Sequence, residues 1–564
     1  MRDLVLVELQ RRRGSLPIAL ILTLSSVLNV LGITWGLPHY VDWAIDSMAL
    51  QTLQAIAKHF ANGWFDKYPP VHYATVAVFY TPYIGYLLLS GGLQAPTKVF
   101  PYGLANPLSS LTNFILIARI VSVLMGVTIV LLVYVIVSEL FDRRSALFSA
   151  LIVALFYPLV YYAHNANAEV PYVFWALLAI YYLLRLQKDG CLKHYVFFAL
   201  FGTLSICTKD QAYGLFLFSP LIILWTRFSE VTRTSSQQLR WMGILFDRRL
   251  LIAAIVAMGT FVLAHNLLFN FSGFLKHVRW LTGPGSQPYV SYAPTLTGRL
   301  QLLWETGVAL AQGFTLPLFG LCMGGAVYCA LKFPRYSLPL LFLAASYYLT
   351  FINVILYVWP RFVLPIGIIL AFFGGKLLAD IWHSGPWEKL RRGAICLAFI
   401  YGGLFPAQLD LLLMGRESRY AAEQWIQQHF RKDAIVETFA AQNVRLGWDY
   451  PRFPHWIKVR RSKLEAGTQW IPYETPPDEV RFPNLYSGRE APDYIVLSEL
   501  SGRVPRDSEE EKILTALYQS RMGYALVATF KAPTIVPIRL LPVNPRIDIF
   551  ERTESHFITF PSPR

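Results

Sequence analysis

The ionisable side chains that could do chemistry in this chain stand in a few short polar stretches between long apolar runs. Asp42 and Asp46 come first, followed by Lys67-Tyr68-Pro69-Pro70 and His72. Asp42 has the residue type of a helix N-cap. Asp46, one turn later, is either a first-turn charge facing water or a carboxylate placed to take a proton from a hydroxyl. Pro69-Pro70 form a rigid corner, and Pro70 can open the helix that follows. Lys67 and the tyrosines beside it either anchor the chain at headgroup height or offer donors to an anion. Further on, Tyr161–Tyr172 contains His164 and Glu169. His164 is either an interfacial hydrogen-bonding residue or a ligand. Glu169 opens a helix, where the dipole favours a carboxylate, or it serves a site. Lys209-Asp210 reads as an ion pair at a hairpin tip. Arg361, in Trp359-Pro360-Arg361, either snorkels to the interface or grips a phosphate bidentately. Arg119 sits about two turns inside an apolar run, where an ionisable group is costly and is a functional candidate by default.

The elements that hold these residues follow from composition. The 564 residues are 55% hydrophobic and only 15% charged, against roughly a quarter charged in a soluble globular protein. Apolar runs of about 18–25 residues recur, long enough to cross a bilayer. Soluble, fibrous and disordered classes are thereby excluded. The net charge of +15 does not mark a nucleic-acid binder, because Arg and Lys gather in short connections: Arg11–Arg13, Arg143-Arg144, Arg185 with Lys188, Arg248-Arg249, Lys332 with Arg335, and Lys389 with Arg391-Arg392. That is the pattern of the positive-inside rule. The first apolar run, Leu16–Leu37, is too long for a signal peptide and reads as a retained span. The five cysteines lie in or beside apolar segments, with none beyond Cys396, so no disulfide framework or thiolate metal pattern is expected.

Thr75–Gly92 decides the topology. If it crosses the membrane, every later basic connection falls opposite Arg11–Arg13; if it lies in the interface or re-enters, all of them share one side, as the charge rule requires. The second solution gives about eleven spans, near 16–38, 113–139, 145–163, 170–187, 194–209, 212–226, 249–270, 306–331, 337–358, 362–381 and 394–413. The N-terminus is then cytoplasmic. The long loop after Pro38, the turn Tyr161–Pro171, the loop Phe271–Glu305 and the junction Tyr357–Arg361 share the far face. In the first of these, apolar residues from Ile45 to Phe60 recur at helical spacing, which predicts an amphipathic helix lying on the membrane surface. Residues 1–413 form the membrane domain. Residues 414–564 are of ordinary polarity and read as a small extracytoplasmic α/β domain, with a helix at Tyr420–Phe430 and strands at Ala434–Val436 and Tyr494–Leu497. Its aromatic stretch Trp448–Tyr473 suits either a packed core or a carbohydrate contact. No internal repeat is visible.

Taken together, the segments resemble the polytopic GT-C glycosyltransferases, the group of the protein O-mannosyltransferases and the lipid A aminoarabinose transferase. The likeness runs from about Leu16 to Asp380. Trp35-Gly36-Leu37-Pro38, the acidic helix and Tyr68-Pro69-Pro70 resemble the family's first outer loop; Tyr162-Ala163-His164-Asn165 through Glu169-Val170-Pro171 resembles its second acidic turn; Arg361-Phe362-Val363-Leu364-Pro365 resembles the entry to a late span. The resemblance implies inverting transfer of a sugar from a polyprenyl- or dolichyl-phosphate donor to an acceptor hydroxyl outside the cytoplasm. It matches Asp46 to the catalytic aspartate, with Ser47 in place of the usual Glu and Asp42 as the other candidate. It gives Glu169 the role of the second acidic residue. Arg361, Lys209, Lys67 and Arg119 become the donor-phosphate cations, and His164, Asp42, Tyr68 and His72 orient substrate. No metal-ligand pattern is present, though Glu169 and His164 leave a divalent Mg or Mn ion open. Expected partners are the lipid-phosphate sugar, membrane lipids and an acceptor that is a lipid, a glycan or a protein, with no nucleic acid. A bacterial plasma membrane fits best. The rival readings are a transporter or flippase of lipid-linked sugars, which would favour midplane charges and repeats, and a non-catalytic membrane subunit.

Overall fold

The computed structural model describes residues 2–37, 46–61, 64, 68–98, 102–231, 247–283, 290–382, 387–430, 434, 436–438, 456–458, 493–498, 509–537 and 543–553. Its longer helices, in chain order, are α1 Arg2–Val30, α2 Ser47–Ala57, α3 Val71–Leu89, α4 Pro107–Leu140, α5 Arg143–Ala154, α6 Tyr157–Ala163, α7 Glu169–Asp189, α8 Leu192–Ile206, α9 Ser219–Val231, α10 Arg248–Ala264, α11 Phe271–Leu281, α12 Leu296–Phe314, α13 Leu316–Lys332, α14 Pro334–Tyr347, α15 Leu364–Trp382, α16 Glu388–Leu411, α17 Ser418–His429 and α18 Glu509–Tyr518.

Two compact units result. The first gathers Met1–Val30, Met48–Tyr83 and Ile117–Ala407; the second gathers Leu31–Ser47, Ile84–Leu116 and Gln408–Arg564. Among the described residues five helices are long and apolar enough to cross a membrane, or seven if each of two bent pairs counts as one span. The chain is an integral membrane protein. The expected eleven spans are not all continuous helices, for two physical reasons. Some are short, such as α8 with 15 residues and α10 with 17. Others break: α5 and α6 meet at 60°, and α12 and α13 at 117°. Both breaks sit just before a proline, Pro158 and Pro317, that starts the next helix in its first turn. The expected single span at 306–331 is therefore a sharp corner at Thr315, whose φ of 73° no helix tolerates. Val71–Leu89 is a helix but not one of the five.

In the first unit the core is built by close approach of small residues, as bilayer packing demands. Gly374 and Gly375 of α15 lie against Cys322 of α13 and Ser149 of α5, and Gly325 lies on the backbone at Phe373. Ser149 Oγ donates to the Phe372 carbonyl at 3.2 Å. A Cβ at Gly375 would stand 2.0 Å from Ser149 Oγ and 2.5 Å from its backbone nitrogen. Gly375→Ala should therefore destabilise the protein by about 1–3 kcal/mol, seen as a lower Tm in detergent, whereas Gly393→Ala, with open space around it, should not.

The expected surface position of the first-loop helix is corrected. Met48 to Leu53 of α2 are all buried, polar Gln51 and Thr52 included. Tyr73 donates to Gln51 at 3.0 Å and Tyr80 to the Ala49 carbonyl at 3.1 Å, so α2 is covered by protein on both its apolar and polar sides.

The second unit carries a five-stranded sheet of β1 Val436–Thr438, β2 Trp456–Lys458, β3 Tyr494–Ser498, β4 Tyr524–Phe530 and β5 Ile547–Arg552, in the order β2-β1-β3-β5-β4. The first two pairings are parallel and the last two antiparallel. Helix α17 packs Ala422 and Ile426 onto Val496, Ile547 and Ile549. Glu417 is buried and accepts from Arg419 Nη2 and from the Asn544 backbone N–H, both at 2.8 Å, while the Arg419 guanidinium lies 5.2 Å over Trp35. Of the aromatic stretch 448–473, only 456–458 are described.

Candidate functional site

Helices α7 and α8 are joined through Gly190, whose φ of 59° ends α7, so they run antiparallel. The start of α7 and the end of α8 consequently lie at one end of the hairpin, which brings together Glu169 and Lys209. Lys209 Nζ donates to Glu169 Oε1, with only 6% and 3% of the two side chains exposed. The third member comes from the four-residue turn Pro360–Val363 that leads into α15. Arg361 Nε lies 3.5 Å from the same Oε1. Lys209 stands 5.3 Å above the Tyr68 ring and 5.9 Å from Tyr172, and the Arg361 guanidinium lies 4.1 Å over Trp359.

Two cations thus face one carboxylate in a nearly dry setting. Glu169 Oε2 is buried and makes no hydrogen bond among the described residues. Nε of Arg361 makes none among them either. A buried ion pair contributes little net stability, so two cations drawn to one carboxylate are better suited to receiving an anion than to holding a fold together. The turn before α7 is fixed locally. His164 donates from Nδ1 to the Val160 carbonyl at 2.7 Å, Asn165 donates to the Tyr161 carbonyl at 2.6 Å, and Asn167 accepts the Glu169 backbone N–H at 2.9 Å, satisfying one of the free donors at the helix start.

The other sequence candidates fall as follows. Asp46 is fully buried at the residue before α2 and belongs to the second unit. Met48, two residues on, packs in one cluster with Ala168, Trp64 and Tyr73, with Tyr68 against it. His72 is fully buried, its ring nitrogens have no hydrogen-bond partner among the described residues, and burial lowers its pKa to about 3. Arg119 is fully buried within α4. Asp42 and Lys67 lie outside the described residues.

One expectation is overturned. Lys209 and Asp210 do not pair with each other: Lys209 turns to Glu169, and the Asp210 carboxylate receives His277 Nε2 at 3.1 and 3.2 Å. The 3-10 turn Asp210–Ala212 begins between them and sends the side chains to different elements. As for a divalent ion, Glu169 is already faced by two cations, which disfavours a third positive charge there. Among the described residues the group with metal-ligand geometry is instead Asp210, His265 and His277. Sequence reading missed both histidines, since they stand twelve residues apart with no motif around them. The aromatic floor under the cations was also missed, though Trp359 stood beside Arg361.

Residues 109–258 match the family model described as dolichyl-phosphate-mannose-protein mannosyltransferase. No curated protein matches the chain in sequence. Among solved structures, the chain is similar to the oligosaccharyltransferase of Archaeoglobus fulgidus in complex with an inhibitory peptide and a dolichol-phosphate (12% identity, TM-score 0.46, 87% of this chain and 70% of that one). It is similar to ArnT of Cupriavidus metallidurans bound to undecaprenyl phosphate (14%, 0.44, 95% and 97%). A third is the protein O-mannosyltransferase complex of S. cerevisiae bound to the sugar donor (15%, 0.35, 50% and 36%). The span from the start of α4 into α10 thus carries the family match, and over that span the expected resemblance to the protein O-mannosyltransferases is borne out.

Proposed function

We propose that this chain moves a sugar from a polyprenyl-phosphate donor to an acceptor hydroxyl at the extracytoplasmic face, with inversion. The observation that carries the reading is the buried group of Glu169, Lys209 and Arg361, two cations on one carboxylate. In this reading the leaving group is a phosphate monoester, which needs neutralisation rather than protonation. Arg361 and Lys209 stabilise the charge that grows on it as the glycosidic bond breaks, a contribution that is usually the largest in such sites. Lys67 and Arg119 are the further cations. Glu169 holds Lys209 and Arg361 in place between turnovers.

Asp46 is the base that takes the proton of the acceptor hydroxyl as its oxygen attacks the anomeric carbon from the face opposite the phosphate. Its support is its burial and its place at the residue before α2. His164, Tyr68, His72 and Asp42 orient the acceptor. The acceptor is a lipid, a glycan or a protein hydroxyl. The membrane is a bacterial plasma membrane, with the N-terminus on the cytoplasmic side and the second unit's sheet outside. The placement of Glu169, Lys209 and Arg361 at helix ends, rather than at mid-span, favours surface chemistry over transport.

The test is direct. The purified full chain in nanodiscs should consume undecaprenyl-phosphate sugars and release undecaprenyl phosphate. An intact donor that is instead carried between leaflets would establish the transporter reading and overturn this one.

A further inference from the structure

We propose that Asp210, His265 and His277 bind a single transition-metal dication, zinc by preference, at a site distinct from the Glu169 group. Three separate elements supply the ligands. Asp210 opens the turn after Lys209, His265 ends α10, and His277 stands in α11. One ligand atom from each lies within 4.8 Å of the other two. His277 Nε2 and the Asp210 carboxylate, 3.1 Å apart, are already close to the separation of about 3.3 Å between two ligands of a tetrahedral zinc. Two imidazoles and one carboxylate, with a fourth position left for water, are a donor set that zinc favours.

The scaffold that presents them is built rather than incidental. Between the two histidines the chain turns at Asn266, with φ of 58°, and at Asn270, which caps α11 by accepting the Gly273 N–H at 3.3 Å. The Asn266 side chain donates to the Phe60 carbonyl, and that of Asn270 donates to the Trp64 carbonyl at 2.7 Å. Both asparagines therefore tie the α10–α11 corner to the segment after α2, which fixes the direction of both rings. His265 and His277 are buried and tilted 50° to each other with centroids 5.7 Å apart. The Asp210 side chain is 26% exposed, which leaves access for the ion and its water. A simple Asp210–His277 ion pair explains two of the three residues. It does not explain why a second buried imidazole is turned to the same carboxylate.

The experiment uses the full chain in detergent, stripped by a chelator and then given zinc sulfate alone. About one zinc per chain should remain after desalting. His265→Ala and His277→Ala should each weaken zinc binding about 100-fold or more, since even outer-shell losses cost 10–100-fold. Glu169→Gln should retain the metal, so the outcome is independent of the glycosyltransferase reading. Zinc K-edge absorption of the wild-type chain, which needs no variant to fold, should register two imidazole nitrogens. Failure of the stripped wild type to hold zinc, equal zinc in the histidine variants, or an oxygen-only shell would each overturn the proposal.

Discussion

Asp46→Asn should leave donor binding and thermal stability near wild type and slow transfer about 10²–10⁴-fold, the contribution of a positioned general base. The substitution keeps shape and most hydrogen-bonding capacity while removing the one thing a base needs. Because Asp46 is fully buried, a larger replacement such as Asp46→Leu would mix the chemical effect with a packing effect and is the poorer test. The measurement is kcat and KM for the lipid-phosphate donor, with Tm alongside. A fall in kcat at constant KM marks a group that acts in the transition state. Asp42→Asn, made in parallel, decides between the two aspartates: as a residue that orients the acceptor it should raise KM for the acceptor and largely keep kcat. If Asp46→Asn turns over like wild type and Asp42→Asn does not, the base is Asp42.

Arg361→Ala should lower kcat/KM for the donor about 10²–10³-fold, as loss of a preorganised charge at a developing anion does. The electrostatic reason is specific to this group. With Arg361 present, two cations face Glu169; without it, the group loses one of them and the planar fork that matches a phosphate. Folding should suffer less than for a typical broken buried pair, since Glu169 keeps Lys209. Arg361→Lys should recover only part of the loss, because an ammonium lacks both the fork that matches phosphate and the flat face that stacks on Trp359. Wild-type kinetics in Arg361→Ala would remove the residue from donor recognition. A loss of activity matched by a collapse in Tm, and relieved by adding Glu169→Gln, would mean that it is structural only.

The helical membrane class was legible because composition and run length are set by the bilayer itself. Glu169, Lys209 and Arg361 stand out in the sequence because ionisable residues are rare there. What single residues could not reveal was partner choice. Lys209 and Asp210 are adjacent and of opposite charge, yet a turn of backbone between them sends one to α7 and the other to α11. Periodicity correctly placed a helix near Ile45–Phe60, but an apolar stripe does not say whether lipid or protein covers it, and Gln51 and Thr52 are buried too. The corner at Thr315 was hidden because Leu316-Pro317 interrupts a stretch that stays apolar throughout. Nor does the polarity change after Met414 reveal that 31–47 and 84–116 group with the C-terminal residues in one compact unit.

Helix α7 spans 21 residues from Glu169 to Asp189, and at 1.5 Å per residue its length is about 31 Å, nearly the thickness of a typical hydrocarbon core. The carboxylate that gathers the two cations is therefore held at a set height above the opposite leaflet. Lipids with longer acyl chains would submerge it and shorter ones would lift it clear, so on the proposed function the surrounding bilayer becomes a determinant of how readily a polar acceptor meets a lipid-borne sugar.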